Sequence, residues 1–386
     1  MMLLPDWRSG DNLKTQQQVF HAGEYPDVES PLSAAQLVLA FGATALLDAE
    51  GLFPALRKAY PEALIVGCSG AGEIYQSSVN DGTLVVTALR FEQTAVRLAS
   101  IVIDEMQESY AAGQFLADSL NEEGLKHVLV FTDGLSVNGS ELVRGFRSRL
   151  PANVELTGGM AGDGARFERT LVLANAPARE KTLVAIGFYG ARLAVGYGSV
   201  GGWDTFGPER LITRSAGNVL YDLDGKPALE LYKRYLGEHA AGLPATGLLF
   251  PLLLRSENGG VVRTILGVNE AEQSMTFAGD MPEGRHARLM KANFDRLVDG
   301  AVSAAEVSQQ GLGNQTAQFA LLISCVGRKL VLQQRIDEEV LGMRQILGDE
   351  LPFAGFYSYG EISPHHSGAP CELHNQTMSI TTFGEY

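Results

Sequence analysis

The sequence predicts an α/β fold in two domains, with mixed sheets built from repeated strand–helix–strand–strand units. Three observations carry that prediction. A short apolar strand ending in Gly, a helix, and a second strand ending in a Gly–acid pair occur together three times. The Gly-to-Gly offsets are 30, 28 and 33 residues, from Gly42 to Gly72, Gly134 to Gly162 and Gly327 to Gly360. Self-similarity of this kind marks a reused supersecondary unit. Each unit is followed by a β-branched, alternating segment of the sort that half-buried strands carry. Finally, 386 residues exceed what one small core encloses.

Taken in order, residues 1–30 are polar and interrupted by Pro5 and Pro26, with Thr15 to Phe20 as a short arm or edge strand. The first unit runs from LVLAFG through ALLDAEGLFPALRKAY to ALIVGCSGAGEI and closes with GTLVVTALRF. AVRLASIVI is a strand and ESYAAGQFLADSL a helix. The second unit is HVLVFTDG, SELVRGFRSRL and VELTGGMAGDG, closed by RTLVLANA and TLVAIGFYG. Units of this size pair their two strands in parallel through a right-handed crossover. The strand after each acidic turn is expected to run antiparallel, which makes the sheets mixed. The Gly-rich GYGSVGGWDTFGPERL is the strongest composition shift, so the boundary is set near residue 192, giving domains 1–192 and 193–386. NVLYDLDGKPALELYKRYLG reads as a strand, an Asp–Gly turn and a helix with Pro at its start and Gly after its end. FPLLLR and VVRTILGV read as a hairpin around Asn258-Gly259-Gly260, and residues 286–306 as helical. The third unit is ALLISCVG, LVLQQRIDEEVLGMRQIL and PFAGFYSYGEI, closed by TMSITTF.

Composition excludes several classes. The net charge is −15, and no Lys/Arg-rich tract is present, so nucleic acid and anionic membrane surfaces would be repelled. No apolar run reaches the roughly 20 residues that span a bilayer. The start, MMLLPDWRSGDNLK, lacks the apolar core of an export signal. Three widely spaced cysteines, Cys68, Cys325 and Cys371, make neither a disulfide framework nor a cysteine zinc site. A cytoplasmic protein without membrane insertion is expected.

Gly196-Tyr197-Gly198-Ser199-Val200-Gly201 satisfies the dinucleotide fingerprint, but no helix opens after it to hold a pyrophosphate, and it reads as a Gly-rich turn. Gly67-Cys68-Ser69-Gly70-Ala71 approaches a nucleophile elbow, but Ala71 replaces the last Gly and extended chain follows. A hydrolase using Ser69 or Cys68 stays open as an alternative, although the expectation is a protein that is not an enzyme. Glu73 and Glu361 sit where a strand gives way to a turn, either lining a ligand site or accepting backbone N–H bonds. Asp163 and Asp280 occupy similar places and read as turn stabilisers. The seven histidines show no zinc-protease spacing, but one His in an apolar pocket can serve as an axial haem ligand. His374, shortly after the third acidic turn, leads, followed by His286 at an expected helix start and His239 at a helix end. His365-His366 beside Pro364 reads as an exposed loop.

GCSGAGEI, NVLYDLDGKPALELYKRYLG, FAGDMPEG and PFAGFYSYGEISP…CELHNQT together resemble the FIST domain pair, an N-terminal domain followed by a C-terminal one, over nearly the whole chain. The resemblance implies an intracellular ligand-sensing module of signal transduction that acts through a partner. Stand-alone FIST proteins of this layout include NosP-type nitric oxide sensors. Membership of that group implies haem b with a His axial ligand, here His374, His286 or His239. It also implies a partner histidine kinase or cyclic-di-GMP enzyme. Without haem, the resemblance implies a sensor of a small metabolite such as an amino acid, with Ser69, Glu73 and Glu361 at the ligand.

Overall fold

A computed structural model describes residues 12–24, 32, 34–255 and 260–386. It is mixed α/β in two domains, as the repeats predict. The larger body holds three sheets, one per repeat. In each, the unit's two strands pair in parallel: Leu37–Gly42 with Leu64–Ser69, Leu125–Thr132 with Glu155–Met160, and Phe319–Cys325 with Phe353–Ser358. In each, the closing strand lies antiparallel against the first: Leu84–Phe91, Thr182–Tyr189 and Met378–Glu385. Leu13–Phe20 adds the edge strand expected near Thr15, pairing with Leu84–Phe91.

The repeats also exchange strands, which their sequences do not announce. After the first acidic turn, Glu73–Tyr75 joins Phe353–Ser358 of the third unit. After the third, Gly360–Pro364 joins Glu155–Met160 of the second. After the second, Val172–Ala174 joins Leu64–Ser69 of the first. Each acidic turn thus passes the chain to a neighbouring sheet, and the three exchanges close a ring. The sheets enclose one apolar core, where Phe41 lies 4.8 Å from Phe356 and 5.2 Å from Phe131 between ring centroids, with Leu39, Leu129 and Leu321 around them. Helices cover the outer faces: Leu52–Ala59 buries Leu52, Leu56 and Ala59 on the first sheet. Gly67, Gly158 and Gly355 hold equivalent places, and a Cβ at any of them would overlap the carbonyl oxygen of Ala40, Val130 or Leu322 on the parallel neighbour.

Residue 192 lies in the turn between Thr182–Tyr189 and Leu193–Val200, and the latter pairs with Met378–Glu385 in the third sheet. The Gly-rich fingerprint is therefore strand, and no helix opens after it. The smaller domain is an antiparallel sheet that includes Asp204–Ala216, Val219–Leu223, Leu252–Leu254, Val261–Arg263, Ser274–Phe277 and His286–Lys291, packed on the Ala228–Leu236 helix. Its Leu252–Leu254/Val261–Arg263 hairpin forms as read, although Asn258 and Gly259 of its expected turn lie outside the described residues.

One expected helix is corrected. Residues 286–291 form a strand held between Asp204–Ala216 and Leu252–Leu254, and the helix is Phe294–Gly311, capped by the Asn293 side chain. Cross-strand pairing on both sides overrides the helical composition of HARLMKANFDRL. Among the described residues, no helix is long and apolar enough to cross a membrane.

Candidate functional site

The acidic turns hold the ring together. The Glu73 carboxylate accepts from the Thr83 amide at 3.2 Å and the Thr83 hydroxyl at 3.0 Å. Glu361 repeats this, accepting from the Thr377 amide (3.2 Å) and hydroxyl (2.9 Å), and from Ser358 Oγ at 2.6 Å. Each clamps its turn to the start of a closing strand. Both are fully buried, and burial pushes each carboxyl up to about 8 against the opposing hydrogen bonds. Asp163 accepts from the Phe167, Glu168 and Arg169 amides and from the Tyr359 hydroxyl. Although its burial works the other way, these bonds lower its pKa. Ser69 is buried, with its Oγ accepting from the Leu171 amide at 3.0 Å, and burial raises the neighbouring Cys68 thiol well above its ordinary value. Ser69 ends the Leu64–Ser69 strand, while Glu73 and Glu361 begin or lie in other strands, and none of the three lines the cavities described below.

His286 and His239 are exposed, His286 at a strand start and His239 in a 3-10 turn against Phe250. His374 lies opposite Glu361 in register, but no hydrogen bond joins the two side chains. His374 is buried, with Nε2 bonded to the Ser363 carbonyl at 2.8 Å and Nδ1 without a partner. His365 and His366 lie in a loop as expected and His366 is exposed, but His365 is half-buried, 4.2 Å from His374 between ring centroids. Both line a cavity of about 170 Å³ with Trp203, Met290 and Thr377. Pockets for drug-sized ligands run to about 300–1,000 Å³. An imidazole nitrogen is free, but this space does not fit a haem macrocycle. Among the described residues, no three His, Cys, Asp or Glu side chains gather as a metal centre.

The large cleft lies elsewhere, between the domains, with a volume of about 420 Å³. The Gly139–Arg147 helix, begun by Asn138 accepting from the Ser140 and Glu141 amides, turns Ser140, Val143, Arg144 and Arg147 towards it. These residues recur at the three- and four-residue spacing that shares one helix face. Arg255, Arg263 and Arg285 enter from the smaller domain, and Cys371, Glu372 and Leu373 from the ring. Asp280 accepts from Asn138 Nδ2 at 3.0 Å, a bond between the two domains beside the one that Arg263 makes to the Leu373 carbonyl. Five arginines thus face two acids.

Arg263 is the unusual member. It is only 6 % exposed, and its guanidinium donates to the Asp280, Leu373 and Val262 carbonyls at 3.2, 2.9 and 3.3 Å. Among the described residues, no carboxylate oxygen lies within ion-pair distance of it, although the Asp280 and Glu372 charges nearby favour its charged form. Burial lowers its pKa to about 10, which still leaves it charged at neutral pH. The other four cleft arginines have partners of their own: Arg144 bonds Glu141, Arg147 the Val154 carbonyl, Arg255 Glu209 and Arg285 the Arg255 carbonyl. A buried cation that carbonyls and distant acids only partly compensate gains from a direct anionic partner. The sequence reading missed Arg263. Its signal was the alternation Val261, Arg263, Ile265, which puts a cation on the buried side of a hairpin strand.

A family model described as the FIST N domain matches residues 36–226, and one described as the FIST C domain matches residues 228–364. The uncharacterized protein MJ1623 of Methanocaldococcus jannaschii is 21% identical over 332 residues. That match takes in 77% of this chain, which spans 62% of the relative's length. A crystal structure of cyanuric acid hydrolase from A. caulinodans aligns over 97% of this chain and 99% of its own, at 8% identity and a TM-score of 0.38.

Proposed function

The chain belongs to the FIST family, and from that premise we propose that it is a sensor, not an enzyme, whose ligand is a small anion held in the interdomain cleft. FIST domains are associated with sensing small ligands in signal transduction. The observation that carries the reading is Arg263, a buried guanidinium bonded only to carbonyls, in a cleft of about 420 Å³ where five arginines outnumber the two acids Asp280 and Glu372. A carboxylate or phosphate oxygen there gains charge-assisted hydrogen bonds and offsets the cost of the buried charge. A metabolite with one such group, an amino acid included, fits the volume. Because the cleft has walls from both domains, a ligand that bridges them favours one arrangement of the pair, which a partner such as a histidine kinase or cyclic-di-GMP enzyme reads.

The test is a thermal-shift and calorimetry panel of small carboxylates, phosphates and amino acids. At least one anion is expected to stabilise the wild type, with affinity lost in Arg263→Met and reduced in the exposed-site variant Arg285→Ala. If no anion binds, or Arg263→Met binds as well as the wild type, the reading falls. An absorption spectrum of haem-reconstituted protein tests the nitric oxide alternative separately. A Soret band shifted by nitric oxide, lost in His374→Ala and indifferent to Arg263→Met would replace the anion with haem.

A further inference from the structure

The two imidazoles outside the arginine cleft have a more specific arrangement than chance stacking. A backbone carbonyl can only accept, so each ring nitrogen bonded to one must carry the proton. His374 Nε2 donates to the Ser363 carbonyl at 2.8 Å, and His365 Nδ1 donates to the Ser199 carbonyl at 2.8 Å. In the neutral rings, the lone pairs therefore sit on His374 Nδ1 and His365 Nε2. His374 Nδ1 is buried and unpartnered, an unmet acceptor in a residue 1 % exposed. Metal-binding histidines show this pattern: one nitrogen anchored on a carbonyl, fixing the tautomer, and the other left as the ligand.

The surroundings select the ion. The cavity walls are Gly201, Gly202, Trp203, Gly260, Val262 and Met290 besides the two histidines and Thr377, and none is an acid. No residue of the wall carries a negative charge, and the Glu361 carboxyl behind it is held by Thr377 and Ser358. Burial first, then the neighbouring His365 and least the Arg263 charge hold the His374 pKa well below its ordinary value, so the ring stays neutral. Zinc in a protein site takes four ligands, often including thiolate or carboxylate. Two neutral imidazoles with a thioether suit a soft ion of low charge.

We propose that His365 and His374, with the Met290 thioether, form a binding site for monovalent copper. The half-buried His365 gives the ion its way in, and the anchored rings swing little to meet it. The site is independent of the anion reading, because none of its three donors lines the arginine cleft.

Anaerobic titration of the full chain with copper(I) against a chromophoric chelator tests it. The wild type is expected to retain one equivalent. His365→Gln and His374→Gln should each weaken retention by more than the roughly 100-fold that loss of an outer partner costs, and Met290→Leu should weaken it less. Arg263→Met should retain copper. Circular dichroism checks folding, and His365→Gln, at a half-buried position, keeps the test open if His374→Gln misfolds. X-ray absorption of the loaded protein should show two nitrogen donors and one sulfur. No copper retained by the wild type, copper retained equally by both histidine variants, or tighter binding of zinc by the same residues would overturn the proposal.

Discussion

Consider the stability of the chain between pH 5 and 8, where four buried groups compete. Burial pushes the Glu73 and Glu361 carboxyls up to about 8 from an ordinary 4.5. They are protonated in the native state and ionised in the unfolded chain across that window. The native state then binds more protons, and stability falls as pH rises, by about 1.4 kcal/mol per pH unit for each group. Burial pulls His127 down to about 3 and His374 well below 6.5. Both are neutral in the native state but protonated in the unfolded chain below 6.5, so they make stability rise with pH by the same amount per group. Two rising and two falling contributions cancel from about pH 5 to 6. Above about pH 7 only the carboxyls remain, and stability should drop by roughly 2–3 kcal/mol between about pH 6.8 and 7.8.

Urea unfolding midpoints measured across this range provide the assay. Glu361→Gln keeps an acceptor for the Thr377 amide, and its NH2 can donate to Ser358. It should halve the decline above pH 7 and leave stability rising between pH 5 and 6. Glu73→Gln should do the same, and the double variant should be level above pH 7. A wild type whose stability is flat or rising above pH 7, or a Glu361→Gln variant with an unchanged decline, would refute the argument.

Other outcomes follow from the packing. Gly355→Ala, Gly158→Ala or Gly67→Ala forces a Cβ into the adjacent strand's carbonyl oxygen, so each should cost about 3 kcal/mol or more by chemical denaturation; a loss within experimental error would mean that the strands are not so close. Arg328 and Glu339 form an ion pair with both side chains fully buried, so Glu339→Gln should cost about 3–5 kcal/mol, and Arg328→Met with Glu339→Leu much less. A double-mutant cycle measures the difference. Anion affinity in the cleft should weaken as salt is raised, less for Arg263's share than for the exposed Arg144 and Arg255, because buried pairs are screened less. Calorimetry of each variant in low and high salt checks the order.

What the sequence made legible was whatever repeats at short range. The parallel pairs, their antiparallel closing strands and the Gly–acid turns all came from patterns within about sixty residues. The strand exchange did not, because Glu73–Tyr75 and Val172–Ala174 are three residues long, and nothing in such a segment says which sheet it will join. His286 failed for a related reason: a six-residue strand with helix-forming composition is decided by its two neighbours. The arginine cleft was hidden more deeply. Its walls come from residues near 140, 260, 280 and 370, so only the folded ring with its inserted sheet brings them together.

That difference separates the acids from the arginine. A residue that recurs in every repeat solves a problem every repeat has. Glu73 and Glu361 solve it by clamping a turn to a threonine at the start of the closing strand. Arg263 has no counterpart in the repeats, belongs to the inserted sheet, and is paired only with carbonyls. On the proposed reading, an anion bonded to Arg263 would offset the cost of burying that charge and would favour the arrangement of the two domains that holds it.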